Sequence, residues 1–230
     1  MSKRIILSLI VVATVVVLLM VMASVFPISS WSSRDERVVA DLPWQINAKD
    51  EEQTRVLGLV IGSESLAAAT ENIRKIPEIA VFQNPEGGYL IEAYFSKVKR
   101  GPLQGSLAVE VDIEGVDLAG YAKFGTQGKP MPSGKRKFVL SKTGILGANK
   151  LRVWKLAYLP GAHYSAIQIQ QFFGEPASKV VATNSIENWL YPAKGLIVSY
   201  DKEGREVFYY SARQDYNRLL NSVPGTKGKK

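Results

Sequence analysis

Two stretches of the chain alternate apolar and polar side chains: GYLIEAYFS (Gly88–Ser96) and GSLAVEVDI (Gly105–Ile113). A period of two sends every second side chain to the same face of an extended strand. Both therefore read as antiparallel strands with one buried face. KRKFVL (Lys135–Leu140) and LRVWKLAYL (Leu151–Leu159) extend the set, and NWLYP, GLIVSYD and REVFYYSA follow as three more strands. The last two are joined by Asp201-Lys202-Glu203-Gly204, with Gly204 suited to a tight turn. Helical spacing marks other segments. In SESLAAATENIRK (Ser63–Lys75), Ser63 or Ser65 serves as N-cap, and Leu66, Ala69, Ile73 and Ile76 fall on one face. A short helix is expected over Val116–Phe124, a brief helix or loop over SKTGILGAN, and a helix over RQDYNRLLNS. SAIQIQQFF (Ser165–Phe173) reads as a short helix that Gly174 stops in the left-handed conformation, and Pro176 cannot continue it.

The longest apolar run differs from all of these. Lys3 and Arg4 precede twenty-two uncharged residues, Ile5 to Phe26. A helix of that length, rising about 1.5 Å per residue, matches the roughly 30 Å hydrocarbon layer of a bilayer. Basic residues on its amino-terminal side predict a cytoplasmic amino terminus and an exported body. Val21-Met22-Ala23 also offers a signal-peptidase motif, although the apolar run exceeds the usual signal-peptide core. The expected organisation is a cytoplasmic end (1–4), a transmembrane anchor (5–26), a Ser- and Pro-containing linker (27–44), two units (45–160 and 161–222) and a basic tail (223–230). The expected fold class is α+β, with an exported domain of helix plus antiparallel meander units, two in tandem. The expected location is the inner membrane, single-pass, with the bulk of the chain periplasmic.

One segment carries a resemblance. Phe173, Gly174 and Pro176 form a Phe-Gly-x-Pro box after a helix, and Trp189 and Tyr191 form Trp-x-Tyr on the next strand. This unit, Tyr164 to Ala212, resembles the repeat of the β-lactamase-inhibitor-protein-like fold, found also in small outer-membrane-assembly lipoproteins of the SmpA/OmlA type. Residues 62–95 look like a degenerate first copy that lacks the box. The chain also resembles membrane-anchored proteins of proteobacteria, a likeness that brings no activity with it. The resemblance implies a sheet face that grips protein partners. Without a cysteine the chain has no lipidation site, which separates it from the assembly lipoproteins.

Composition narrows the chemistry. The absence of cysteine excludes disulfides, thiolate metal sites and thiol nucleophiles. His163 is the only imidazole, and no acid stands near it in the sequence. Its expected role is in a helix-initiating turn. Ser165 and Ser199 lack a nucleophile elbow, phosphate-binding glycine motifs are missing, and Asp50-Glu51-Glu52 lacks the spacing of a calcium loop. Glu110 and Asp112 alternate on a strand and read as a solvated face. No catalytic residue, metal or cofactor is therefore expected.

Charge is segregated. Between Gly120 and Lys155 lie nine Lys or Arg and no acid, and since the chain's net charge is +8, the remainder carries −1. Lys129, Lys135, Arg136, Lys137 and Lys142 are the expected contacts to an anionic surface, for which lipid headgroups are the nearest candidate; nucleic acid is not expected outside the cytoplasm. Trp189, Tyr191, Tyr209 and Tyr210 are the expected partner-binding aromatics, with Tyr209 and Tyr210 on opposite faces because they are adjacent in a strand. The expected function is a membrane-anchored periplasmic binding or adaptor protein, an accessory subunit of an envelope complex. The alternative is a small periplasmic hydrolase or lipid-modifying enzyme.

Overall fold

The computed structural model describes residues 40–48, 50–118, 120–122 and 128–226. The first strands, β1 (Thr54–Val56) and β2 (Leu59–Ile61), form a separate antiparallel hairpin. Its two-residue turn needs positive φ at both positions, which Leu57 (φ 54°) and Gly58 (φ 78°) adopt. Helix α1 (Leu66–Ile73) follows. Ser65 caps it by accepting from the Ala68 amide, and Leu66, Ala69 and Ile73 form its buried face. Arg74 then turns into the left-handed region at φ 57°. Ile76 is thereby outside the helix and 96% exposed, contrary to the face expected from spacing.

The remaining strands are β3 (Glu78–Gln83), β4 (Tyr89–Arg100), β5 (Leu103–Val111), β6 (Lys129–Pro130), β7 (Arg136–Val139), β8 (Val153–Pro160), β9 (Ser178–Val181), β10 (Ile186–Tyr191), β11 (Leu196–Asp201) and β12 (Val207–Ser211). They form one ten-stranded sheet in the order β6-β7-β3-β4-β5-β8-β12-β11-β10-β9, antiparallel throughout. Helices α2 (Lys142–Ala148), α3 (Ala166–Phe173) and α4 (Tyr216–Ser222) complete the described fold, which is α+β. The strands of segment 45–160 and those of segment 161–222 meet at β8 and β12, so both halves share one sheet.

Alternation decides which side chains enter the core. Ile91, Ala93 and Phe95 of β4, Leu107, Val109 and Val111 of β5, Leu156 and Tyr158 of β8, and Phe208 and Tyr210 of β12 lie buried on one face. The buried apolar residues of α1 and α3 belong to the same cluster. Phe208 stands at its aromatic centre, with the rings of Tyr158, Tyr164 and Phe173 at 6.0, 5.9 and 5.3 Å. The Phe-Gly-x-Pro box and the Trp-x-Tyr strand meet there too. Phe173 packs 6.0 Å from Tyr191, whose hydroxyl donates to the Gly174 carbonyl at 3.1 Å.

Two further expectations are corrected. Gly174 has positive φ (77°) but ψ −170°, a region open essentially to glycine yet not left-handed helical, so the chain leaves α3 extended and enters β9. The segment expected to be helical over Val116–Phe124 contains no helix among its described residues: Val116 and Tyr121 donate to carbonyls three residues back as turns, and Ala122 bridges to Leu140 in register with the sheet. No helix among the described residues is long and apolar enough to cross a membrane. The run Ile5–Phe26 lies outside them.

Truncating the central ring removes both its transfer energy and the packing of its neighbours. Phe208→Ala is expected to lower the unfolding free energy by about 3–5 kcal/mol, read as a shifted urea midpoint.

Candidate functional site

The other face of the sheet is covered unevenly. Over β10–β12 it carries α4, whose Leu219 packs with Ile197 and Val223, flanked by Leu190, Tyr209, Tyr216 and Leu220. Over β4, β5 and β8 the outward side chains include Tyr94, Ala108, Ala157 and Leu159, and Arg218 of α4 reaches Trp154 of β8. Cross-strand register sets them in rows. Tyr94 stands opposite Ala108, Ala108 opposite Ala157, and Ala157 opposite Tyr209. With strands about 4.8 Å apart, the backbones of the two tyrosines are roughly 14 Å from each other. The small side chains between them, half-buried Ala108 and buried Ala157, leave a shallow trough with Tyr94 at one side and Tyr209, half-buried against the α4 cluster, at the other.

A charged row borders that trough. Glu92 faces Glu110 directly, and Glu110 faces Lys155. The Lys155 ammonium sits 2.8 Å from Glu110 and 6.0 Å from the centre of the Tyr209 ring. Glu92 makes no ion pair among the described residues. Burial, and then the charge of Glu110, push its carboxyl above the ordinary range, against the opposing pull of Lys135, Lys155 and Lys137. Burial and then Glu92 likewise push the Tyr209 hydroxyl up. Like charges directly opposed on a sheet are destabilising, so a cation brought to this row would relieve a strain the fold retains.

The trough's boundary at α4 is held by ions. Arg152 pairs with Asp112 at 2.5 Å and with Asp215 at 3.2 Å, and donates to the Gly62 carbonyl at 3.1 Å. Arg218 pairs with Asp112 at 3.0 Å and stacks its guanidinium 3.9 Å over Trp154. Beyond Tyr209, on the same face, a cavity of about 210 Å³ opens between the sheet and Pro224–Gly225, lined by Ser199, Asp201, Arg205 and Val207. The Asn188 side chain fixes this wall by donating to the Pro224 carbonyl at 2.9 Å.

Of the four aromatics expected at a partner surface, Trp189, Tyr191 and Tyr210 are buried on the helix side of the sheet and cannot meet a partner. Their hydroxyls and ring nitrogen are used internally: Tyr210 donates to Pro43 at 2.9 Å and Trp189 to Glu187 at 3.3 Å. Tyr209 alone points to the other face, opposite in direction to Tyr210, where it lies half-buried beside the α4 cluster. The basic residues separate in the same way. Lys137 pairs with Glu78 at 2.5 Å, whereas Lys129, Lys135, Arg136 and Lys142 form no ion pair among the described residues and lie at the β6–β7 edge and the start of α2.

His163 proves to have an acid partner that linear sequence hides. Its Nδ1 lies 2.7 Å from Oε1 of Glu206, which is fully buried and makes no aligned hydrogen bond, while Oε2 accepts from the Tyr164 amide at 3.2 Å. The pair fastens the loop before α3 to the β11–β12 hairpin. Glu92 and Glu206 are the residues that sequence reasoning missed. Only the strand register and the closure of the sheet bring them to their partners.

Burial alone would raise the Asp112 carboxyl, but hydrogen bonds from Arg152, Arg218 and the Glu114 amide outweigh it and hold the group below its ordinary value of 3.8. Its contribution to stability is thus complete above that value and lost as pH falls through the lower folded one. Asp112→Asn is expected to cost about 1.5–3 kcal/mol at pH 7. The gap to the parent should narrow below pH 3.8, as followed by urea unfolding across pH. No protein-family model, curated protein or solved structure matches the chain.

Proposed function

We propose that the protein is a membrane-anchored periplasmic adaptor that holds an envelope protein partner in the trough between Tyr94 and Tyr209. The observation that carries this reading is the row Tyr94, Ala108, Ala157 and Tyr209 across β4, β5, β8 and β12, with Tyr94 38% exposed at one side and Glu92, which forms no ion pair among the described residues, along its border. Aromatic walls and a small-residue floor suit a partner segment about 10 Å across, the width of a helix, and Glu92 calls for a Lys or Arg on that segment. The charge-free run Ile5–Phe26 behind Lys3 and Arg4 supports the anchor and the exported body. The tandem organisation belongs to the same proposal. Each half has a helix followed by an antiparallel meander, α1 before β3–β5 and α3 before β9–β12.

A second reading, a small hydrolase or lipid-modifying enzyme, draws on the raised Glu92 carboxyl beside Glu110. A carboxyl whose pKa burial and a neighbouring acid raise above the ordinary range is suited to general acid work. The two readings part on Glu92→Gln, which removes an acid but keeps the shape of the trough.

Tyr94→Ala and Ala108→Arg, one removing a wall and one filling the floor, are expected to weaken partner binding at least about thirtyfold. Both should keep the chain in the membrane fraction and shift its melting temperature little. Co-purification in mild detergent at parental stoichiometry by both variants would remove the trough from the proposal.

A further inference from the structure

Helix α2 is built to lie flat. Ser141 caps it, its Oγ accepting from the Gly144 amide at 2.9 Å and donating to the Gly120 carbonyl at 2.8 Å. A β-carbon at Gly144 would stand 2.1 Å from the Tyr121 carbonyl oxygen, and one at Gly147 would stand 2.5 Å from the Tyr121 hydroxyl. Two glycines thus let the helix backbone rest against Tyr121, and Gly144 and Ala148 form the buried side. The opposite side presents Ile145, 39% exposed, and Leu146, 66% exposed. Helical spacing places Lys142 one turn before Leu146, and Lys150 follows just past the helix end.

We infer that this outer side of α2 docks on an anionic membrane surface, with Leu146 and Ile145 entering the headgroup region and Lys142 and Lys150 contacting lipid phosphates. Charge complementarity selects the occupant. β7 leads into α2 through Leu140 and Ser141 alone, and it brings Lys135 and Arg136 to the same edge, with Lys129 beside them on β6. None of these lysines or Arg136 forms an ion pair among the described residues, and no acid occurs from Gly120 to Lys155. Lysine is depleted at the centres of protein interfaces, whereas an apolar stripe flanked by lysines is the composition of helices that lie in a lipid interface. Long lysine side chains also extend past buried apolar neighbours to reach phosphates. Val139, 77% exposed on β7, stands between the basic edge and α2, whereas the other strongly exposed apolar residues, Ile76, Ile167 and Val181, belong to separate elements. The inference rests on the anchored reading above, which keeps the domain beside a bilayer.

The test exploits a chain without cysteine. Full-length Leu146→Cys, labelled with an environment-sensitive fluorophore and reconstituted in vesicles, should show blue-shifted emission quenched by nitroxide lipid when phosphatidylglycerol is present. Pure phosphatidylcholine should not produce the shift, nor should a label at Val181→Cys on β9. Unlabelled Lys142→Glu/Lys150→Glu, judged folded by circular dichroism, should lose the protection of α2 amides from hydrogen exchange that anionic vesicles confer on the parent. A water-like Leu146 label in anionic vesicles, an equal shift in neutral ones, or unchanged exchange in the double variant would overturn the inference. Resistance of the full chain to alkaline extraction from neutral vesicles reads the anchor separately. A chain that resists extraction while the Leu146 label stays in water defeats the docking of α2 alone. A chain that is extracted, yet whose label shifts on added anionic vesicles, defeats the anchor and upholds the docking.

Discussion

Four antiparallel rungs, Phe208 on Tyr158, Tyr209 on Ala157, Tyr210 on Leu156 and Ser211 on Lys155, join β12 to β8 and make one sheet from strands drawn from both halves of the chain. On one side these rungs set Phe208 and Tyr210 into the common core, and on the other they place Tyr209 at the margin of the alanine trough. The same few residues therefore determine where the core is densest and where the open face begins. A one-residue slip between β8 and β12 would exchange the two sets, burying Tyr209 and exposing Phe208.

Helix capping and alternation were readable where they are local. Ser65, one of the two serines expected, caps α1, and β4 and β5 follow from period-two patterns; Ser165 caps α3 in a reciprocal box with Gln168 that sequence reasoning missed. Strands β3 and β9 were not readable. EIAVFQ follows Pro77 without clean alternation, and SKVV is four residues on an edge where burial imposes no pattern. The α2 segment was ambiguous because Gly144 and Gly147 are poor helix formers, and only their closeness to Tyr121 explains them.

The site was less legible, for a geometric reason. Aromatic residues on neighbouring strands announce a sheet but not which side each ring takes relative to the helices. Trp189 and Tyr191 share the helix side with Tyr210, so the pattern that suggested a binding surface describes the core. The opposed carboxylates Glu92 and Glu110 lie on strands whose register includes an irregularity between Phe95 and Val98. Counting from the turn at Gly101 would set them one position out of line. The pairing of His163 with Glu206 crosses more than forty positions and depends on the whole meander closing.

The described domain begins at Ala40, and its first turn is fastened at depth. Trp44 stacks on Phe172 at 4.0 Å, and the Pro43 carbonyl accepts from the hydroxyl of fully buried Tyr210. Mechanical load arriving along the preceding segment would therefore be delivered to α3 and β12 together, instead of peeling an outer strand from the sheet. A domain tied in this way yields by fracture of its interior, not by gradual unzipping from its end, and so resists a sustained pull applied at Ala40.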